Sequence, residues 1–128
     1  MPNFESTRTV KHSAKNMFAL VADVERYPEF VPLCETLRIR DQRERDGNSI
    51  IIADMTVGYK AIRETFTSQV HLDPEANKIQ ANYLDGPFKR MDNRWTFIDR
   101  EAGGSDVHFY IDYEFKNRML GMLMGTMF

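Results

Sequence analysis

The sequence has few of the residues that tie a protein to an oxidising compartment or to a membrane. Its 128 residues include one cysteine, Cys34, so an internal disulfide is excluded and a reducing compartment is favoured. No apolar run approaches the roughly 18 residues that a membrane-spanning helix needs, and the first ten residues do not resemble a secretory signal. We therefore expect a cytoplasmic protein, one that can still lie peripherally at the inner face of the cytoplasmic membrane.

An excess of charge of one sign is also missing. With 17 basic and 19 acidic residues, the formal net charge is -2, which gives no bulk field to hold a polyanion, and DNA is not an expected partner. Acidic residues interrupt the densest basic stretch, a pattern typical of a solvated edge rather than of an RNA-binding stripe. The arginines of that stretch are Arg38, Arg40, Arg43 and Arg45.

Residues with catalytic or metal-binding chemistry are few and scattered. Strand alternation directs His71 and His108 outward, and His12 lies at a strand end. Cys34 is interpreted more simply as a small buried apolar residue than as a reactive thiol. No spacing suggests a nucleophile or a metal shell, so we predict no catalytic residue and no metal site.

The apolar content is sufficient for a core. Hydrophobic residues make up 42% of the chain and aromatic residues 12%, and no repeat, low-complexity tract or linker divides it. We expect one domain over residues 1–128.

A first strand over residues 3–12 and a short amphipathic helix are predicted at the start of the chain. Ser13 offers an N-cap oxygen for the helix, and Asp23 is expected to cap a second helical turn that ends near Pro28. The apolar side chains follow the spacing i, i+3, i+4 and i+7 of one helix face. They are Met17, Leu20, Val21 and Val24.

The next segment is apolar, although connecting segments are normally polar. Pro28 and Pro32 remove two backbone donors and favour extended geometry at the residues before them. Exposed apolar side chains of this kind predict the rim of a hydrophobic cavity and a surface that contacts a membrane. The predicted rim residues are Tyr27, Phe30, Val31 and Leu33.

From Cys34 to Phe115 the hydrophobic period is two, which predicts six consecutive antiparallel strands joined by short turns. Asp46-Gly47 and Gly103-Gly104 are typical hairpin turns. The alternation is clearest from Val107 to Phe115.

A closing helix is predicted after a possible cap at Asn117. Apolar residues again follow helical spacing, and Gly121 and Gly125 would let the helix pass close to a neighbour. Because about three turns are marginal for a helix, we expect the natural protein to continue beyond Phe128. The apolar positions are Leu120, Leu123, Met124 and Met127.

These elements predict an α+β fold in which a curved antiparallel sheet of about seven strands wraps around the C-terminal helix, with two short helices after strand one. Such a sheet leaves space for a ligand cavity, although an ordinary filled core is the alternative for any single residue. The predicted cavity residues are Met55, Glu64, Phe66, Tyr83, Met91, Asn93, Trp95, Phe97, Phe109, Ile111, Tyr113, Leu120, Leu123 and Met124.

Glu64 is the least expected member of this set. Strand alternation places it on the apolar face, where an unpaired carboxylate is unfavourable. Two interpretations remain open. One is an ion pair with a partner such as Arg90 or Arg94, or a bulge that shifts the alternation; the other is a hydrogen-bonding anchor for a ligand, with Asn93, Ser68 or Tyr83 beside it.

Four blocks together resemble the coenzyme Q-binding START-domain family, also described as polyketide cyclase/dehydrase-like, which includes the bacterial ribosome association toxin. The blocks are VADVERYPEFVP, YKAIRETFTSQV, GPFKRMDNRW and DYEFKNRML, and the resemblance runs from about Thr7 to Leu123. One departure affects the rim, because Leu33 stands before Cys34 where the family would have tryptophan.

The resemblance implies a helix-grip fold that holds ubiquinone or a similar prenylquinone as bound ligand. The implied role is a non-enzymatic lipid carrier or chaperone that supports respiratory electron transport. A ribosome-associated toxin that blocks the joining of ribosomal subunits is the alternative, and a cyclase/dehydrase-like enzyme is a third reading. The two leading roles share the same sequence blocks.

Overall fold

One strand and two short helices precede a meander of six strands in the computed structural model, which describes residues 3–59 and 61–117. In chain order the elements are β1 (Asn3–Val10), α1 (Ala14–Ala22), a 3-10 turn (Val24–Arg26), α2 (Tyr27–Phe30), β2 (Cys34–Arg45), β3 (Asn48–Tyr59), β4 (Ile62–Asp73), β5 (Lys78–Asp85), β6 (Phe88–Asp99) and β7 (Ser105–Phe115).

The seven strands form one antiparallel sheet in the order β1-β7-β6-β5-β4-β3-β2. Each strand from β2 to β7 pairs with the next along the chain, and β1 closes the other edge against β7, from Asn3 opposite Asp112 to Val10 opposite Ser105. The α+β class, the seven-stranded curved sheet and the two short helices after strand one are confirmed. The predicted closing helix lies outside the described residues.

Helix α1 starts as predicted, and its buried face differs from the predicted stripe at Leu20. Ser13 Oγ accepts a hydrogen bond from Asn16 N at 3.1 Å, and Asp99 Oδ1 of β6 accepts one from Ala14 N at 2.8 Å. The buried residues of α1 are Ala14, Phe18 and Val21, whereas Leu20 is 47% exposed. The predicted stripe was therefore wrong at Leu20, because a helix of two to three turns with many apolar residues has no single apolar face for periodicity to select.

The segment around Pro28 is helical where the sequence predicted extended geometry. Tyr27 has φ -51° and ψ -39°, and Pro28 lies in the first turn of α2, a position at which a proline's missing N–H is not needed. Val31 is extended, as predicted. Asp23 occupies the N-cap position of the 3-10 turn, as predicted, but its side chain makes no capping hydrogen bond there.

Two turns require glycine or a left-handed backbone. Asp46 and Gly47 both have positive φ values, 54° and 83°, as the predicted two-residue hairpin turn between β2 and β3 needs. At Gly86, with φ 140°, an added Cβ would lie 2.7 Å from Cβ of Phe66, so only glycine fits between β5 and β6 here.

Apolar side chains gather into two clusters on the inner face of the sheet. The first cluster packs α1 against the parts of the strands that this helix covers. In it, Phe18 meets Phe97 edge-on, with ring centroids 6.0 Å apart. The second is aromatic and centres on Phe88, which stacks on Phe115 at 4.5 Å and meets Phe66 edge-on at 5.4 Å. The space between these clusters positions the candidate site.

Charged side chains occupy the outer face and the free edge of the sheet. Arg90 forms a bidentate pair with Asp112 and also contacts Glu114, which holds the pKa of both carboxyls below their usual values. Along the edge strand β2, Arg40 and Arg43 pair with Asp54 and Asp41. This is the arrangement expected of a solvated edge.

Candidate ligand cavity

A partly enclosed cavity of about 460 Å³ lies between the inner face of the sheet and the segment from α1 to Leu33. Its volume is within the range of about 300 to 1,000 Å³ that is typical of small-molecule sites. Five strands of the meander, β3 to β7, contribute most of its wall, and Leu37 of β2 adds to it. The strand alternation read from the sequence is the reason that so many apolar side chains point inward together.

Most of the predicted cavity residues that fall within the described ranges line this space, and so do all four predicted rim residues. The strand residues in the lining are Met55, Glu64, Phe66, Met91, Asn93, Trp95, Phe109, Ile111 and Tyr113. The rim residues in the lining are Tyr27, Phe30, Val31 and Leu33. Leu120, Leu123 and Met124 lie outside the described residues.

Two predicted residues stand outside the lining. Phe97 is 2% exposed and packs into the core against Phe18 and Trp95, because it lies at the end of β6 that α1 covers. The Tyr83 ring packs edge-on against Phe88, and its hydroxyl accepts a hydrogen bond from Phe88 N at 3.1 Å. Tyr83 thus holds the start of β6 in place and does not face the open space.

The structure adds lining residues that the sequence argument missed. Phe88 was missed because a register shift between Phe88 and Arg90 breaks the alternation at the start of β6. Val21 and Val24 were assigned only to a helix face, although their burial pattern was visible in the sequence. The remaining additions are Pro32, Leu37, Ala53, Val57, Ile62, Val70, Ile79, Ala81 and Pro87. Ser68 and Phe115 also line the cavity; the sequence suggested Ser68 beside Glu64 and placed Phe115 on the inward face of its strand, although neither was in the predicted cavity set.

Glu64 lies in the lining without a partner among the described residues. The pairing of β3 with β4 runs without a register shift past Val57 and Glu64, so no bulge moves it to the outer face. The suggested partners are engaged on the other face of the sheet, where Arg90 bonds Asp112 and Glu114 and Arg94 bonds Asp92. The suggested ion pair with Arg90 or Arg94, and the bulge that was its alternative, were therefore wrong.

The other polar side chains of the cavity wall differ in whether their donors and acceptors have hydrogen-bond partners among the described residues. The Asn93 amide is engaged at both ends: Nδ2 donates to Tyr110 O at 3.0 Å, and Oδ1 accepts from Trp95 Nε1 at 3.1 Å. Ser68, in contrast, is buried, and its hydroxyl has no partner among the described residues. Most of the remaining wall is aliphatic or aromatic, so its polar chemistry is concentrated at a few points.

The rim is held by a partly buried tyrosine beside a buried cysteine. Tyr27 OH donates a 2.5 Å hydrogen bond to Val21 O, and burial, together with the nearby Cys34 and Asp23, raises the pKa of Tyr27 well above its ordinary value. Burial likewise raises the pKa of the Cys34 thiol, which donates to Thr36 O at 3.6 Å. Both groups are therefore neutral at physiological pH, which suits an apolar rim.

Phe30 is the exposed member of the rim. Its side chain is 42% exposed and meets the Tyr27 ring edge-on, with centroids 5.5 Å apart.

Within residues 3–59 and 61–117 no helix is long and apolar enough to cross a membrane. In the same ranges, no group of three or more histidine, cysteine, aspartate or glutamate residues is arranged to hold a metal ion.

An antiparallel sheet curved around an apolar cavity defines a START-like ligand-binding fold. Residues 10–128 match the family described as "Polyketide cyclase / dehydrase and lipid transport", and the chain belongs to that family. Its description covers both catalysis and lipid transport, so membership alone leaves both classes possible.

The chain resembles proteins whose names indicate different functions. It is 32% identical to the "Ribosome association toxin RatA" of Escherichia coli over 128 residues, all of this chain and 78% of the relative. It is 29% identical to the mitochondrial "Coenzyme Q-binding protein coq10" of Schizosaccharomyces pombe over 121 residues, 94% of this chain and 73% of the relative. The solution structure of the 18 kDa protein CC1736 from Caulobacter crescentus superimposes with a TM-score of 0.82 and 32% identity, covering 98% of this chain and 84% of that one.

Proposed function

We propose that the protein binds ubiquinone or a similar prenylquinone in this cavity and acts as a carrier or chaperone that supports respiratory electron transport. The observation that carries the proposal is the apolar cavity of about 460 Å³, together with the resemblance to a coenzyme Q-binding protein. A prenyl tail contributes about 0.8 kcal/mol for each buried CH₂ group, so a few isoprene units give substantial affinity without a special motif.

The side chains of the wall favour binding over catalysis. Among the described lining residues Glu64 is the single carboxylate, and there is no histidine, lysine or arginine to form an acid–base pair with it. The Tyr27 and Tyr113 hydroxyls have raised pKa values, chiefly because of burial, and therefore hold their protons firmly. We propose accordingly that the protein does no chemistry on its ligand.

The volume of the cavity limits how much of a long-tailed quinone it can enclose. A cavity of this size takes the ring and part of the tail, and the rest of the tail leaves past the rim. In the proposed arrangement Phe30 and its neighbours touch the membrane surface, from which the cytoplasmic protein collects its ligand. The exposure of Phe30 supports this arrangement.

The direct test is to purify the protein from its natural host under native conditions, extract it with organic solvent and identify the bound lipid by mass spectrometry. A matched pair of variants tests whether the lipid occupies the cavity. Ala81→Phe fills the cavity, whereas Gln80→Phe adds the same ring to the other side of the same strand. We expect a prenylquinone with the wild type and with Gln80→Phe and none with Ala81→Phe; no prenylquinone with the folded wild type would overturn the proposal.

A ribosome-directed role is the second candidate, and the 32% identity to a ribosome association toxin favours it. On this hypothesis the protein binds a ribosomal subunit and blocks subunit joining. Sucrose-gradient sedimentation of purified bacterial subunits with the protein added separates the two candidates. Loss of the 70S peak supports the toxin role, while an unchanged gradient together with a recovered quinone supports the carrier.

A further inference from the structure

The hydroxyl of Ser68 is a polar group that the fold leaves unused inside an apolar wall. Ser68 is 7% exposed, lies on the inner face of β4 between Phe66 and Val70, and its oxygen has no hydrogen-bond partner within the described ranges. Buried hydroxyls are nearly always paired, because an unpaired one lowers stability. An exception in a cavity wall points to a group that is completed by a ligand.

The neighbours of Ser68 on β3 and β5 offer its hydroxyl no hydrogen-bond partner. Ala53 lies opposite it on β3 and Tyr83 on β5. Alanine has no polar side-chain atom, and the hydroxyl of Tyr83 is engaged by Phe88 N. The oxygen of Ser68 is shielded from water, but rotation about its one side-chain torsion moves it among three staggered positions around a Cβ in the cavity wall.

Glu64 stands on the same face of the same strand, four residues nearer the rim. At about 3.3 Å per residue the two side chains are about 13 Å apart along β4. Glu64 lies opposite Val57, which pairs with Cys34, and Gly58 N beside it donates to Leu33 O at 2.9 Å. The carboxylate is therefore at the rim end of the cavity and the hydroxyl is deeper.

The charge of the lining limits the ligand. No arginine, lysine or histidine belongs to the part of the wall that the structure describes, so an anionic headgroup would meet Glu64 without a compensating cation. A neutral molecule with an acceptor oxygen meets no such penalty. Its oxygen can take the one proton that a serine hydroxyl donates.

We propose that Ser68 donates a hydrogen bond to a carbonyl oxygen of a neutral lipid and that Glu64 excludes fatty acids and other anionic lipids from the same cavity. This assignment rests on the proposed function, since it requires the cavity to bind a lipid. It adds which end of the cavity receives the ring and which residue sets the class of lipid that is accepted.

The test measures binding of three probes by equilibrium dialysis with mass-spectrometric detection: ubiquinone with two isoprene units, the hydrocarbon farnesene, and oleate. Ser68→Ala should weaken ubiquinone binding about five- to tenfold and change farnesene binding less than about twofold, because only ubiquinone has a carbonyl to lose its partner. Ser68→Thr keeps the hydroxyl and should restore ubiquinone binding. Thr65→Ala removes an outward hydroxyl of β4 that bonds Thr56, and should alter none of the three.

Glu64→Gln keeps the size of the side chain and removes its charge. It should strengthen oleate binding about tenfold and leave ubiquinone within about twofold. If the wild type binds ubiquinone and Ser68→Ala binds it equally well, the assignment of Ser68 fails while the proposed function stands. If oleate binds the wild type as tightly as Glu64→Gln, the role of Glu64 fails. If the folded wild type binds none of the probes, both proposals fail together.

Discussion

The indole nitrogen of Trp95 donates a 3.1 Å hydrogen bond to the side-chain oxygen of Asn93, two residues earlier on the same face of β6. Because the other end of the Asn93 amide donates to Tyr110 O of β7, this side chain links two strands and an aromatic ring. An asparagine that the sequence suggested as a ligand contact thus makes a hydrogen bond within the fold from each end of its amide.

We expect Asn93→Leu to lower the free energy of unfolding by about 2 kcal/mol, because it leaves the indole N–H of Trp95 without its partner and removes the side-chain hydrogen bond to Tyr110 O. Asn82→Leu, on the outer face of β5, should change it by less than about 0.5 kcal/mol. Urea denaturation monitored by Trp95 fluorescence measures both. Equal stability of Asn93→Leu and the wild type would contradict this account.

Ser68→Ala is expected to have the opposite effect on the ligand-free protein. Removing a buried hydroxyl that has no described partner should raise the free energy of unfolding by about 1 kcal/mol. Its neighbour provides the control: Thr67 Oγ1 donates to Asp54 Oδ1 at 2.5 Å, so Thr67→Ala should lower stability by about 1 kcal/mol. Thermal unfolding of the delipidated proteins checks both signs, and a less stable Ser68→Ala would mean that the hydroxyl is already satisfied.

Strand alternation predicted the sheet and most of the cavity wall because each face of a strand is set by a period of two. In β7, Val107, Ile111 and Tyr113 are buried, as the pattern from Val107 to Phe115 requires. The same rule placed Glu64 inside, and the structure keeps it there. It failed at Phe88, where a register shift at the start of β6 changes which positions point inward.

The orientation of helix α1 and the hydrogen-bond partners could not be predicted from the sequence, for a different reason. α1 has apolar residues on several sides, and only contact with β6, including the bond from Ala14 N to Asp99, decides that Phe18 and not Leu20 is buried. Similarly, the sequence does not reveal that Asn93 bonds Tyr110 O of the next strand or that Ser68 finds no partner among the described residues, because both outcomes depend on which side chains the neighbouring strands bring close.

Membrane contact by the rim predicts that Phe30→Gln weakens partitioning onto neutral phosphatidylcholine vesicles. Phe30 is 42% exposed, so burying the rest of its ring in the bilayer surface should contribute about 1 kcal/mol, or roughly fivefold in the partition constant. Ile98→Gln is the matched control, since Ile98 is 59% exposed but lies at the far end of β6. Vesicle co-sedimentation measures both; equal losses for the two variants would indicate nonspecific adsorption.

The partly buried Tyr27 of the rim predicts a loss of stability at alkaline pH. The pKa of Tyr27 is raised in the folded protein from its ordinary value of 10.0, so its contribution is complete below about pH 10 and is lost as the pH rises and the unfolded chain releases the proton. Tyr27→Phe removes the bond to Val21 O and should be less stable by about 1 kcal/mol at pH 7. Above pH 10 the variant no longer has this group to titrate, so its deficit should shrink by up to about 1.4 kcal/mol per pH unit. Urea denaturation between pH 7 and pH 11 tests the convergence, and parallel stability curves for the two proteins would show that Tyr27 ionises as easily in the folded chain as in the unfolded one.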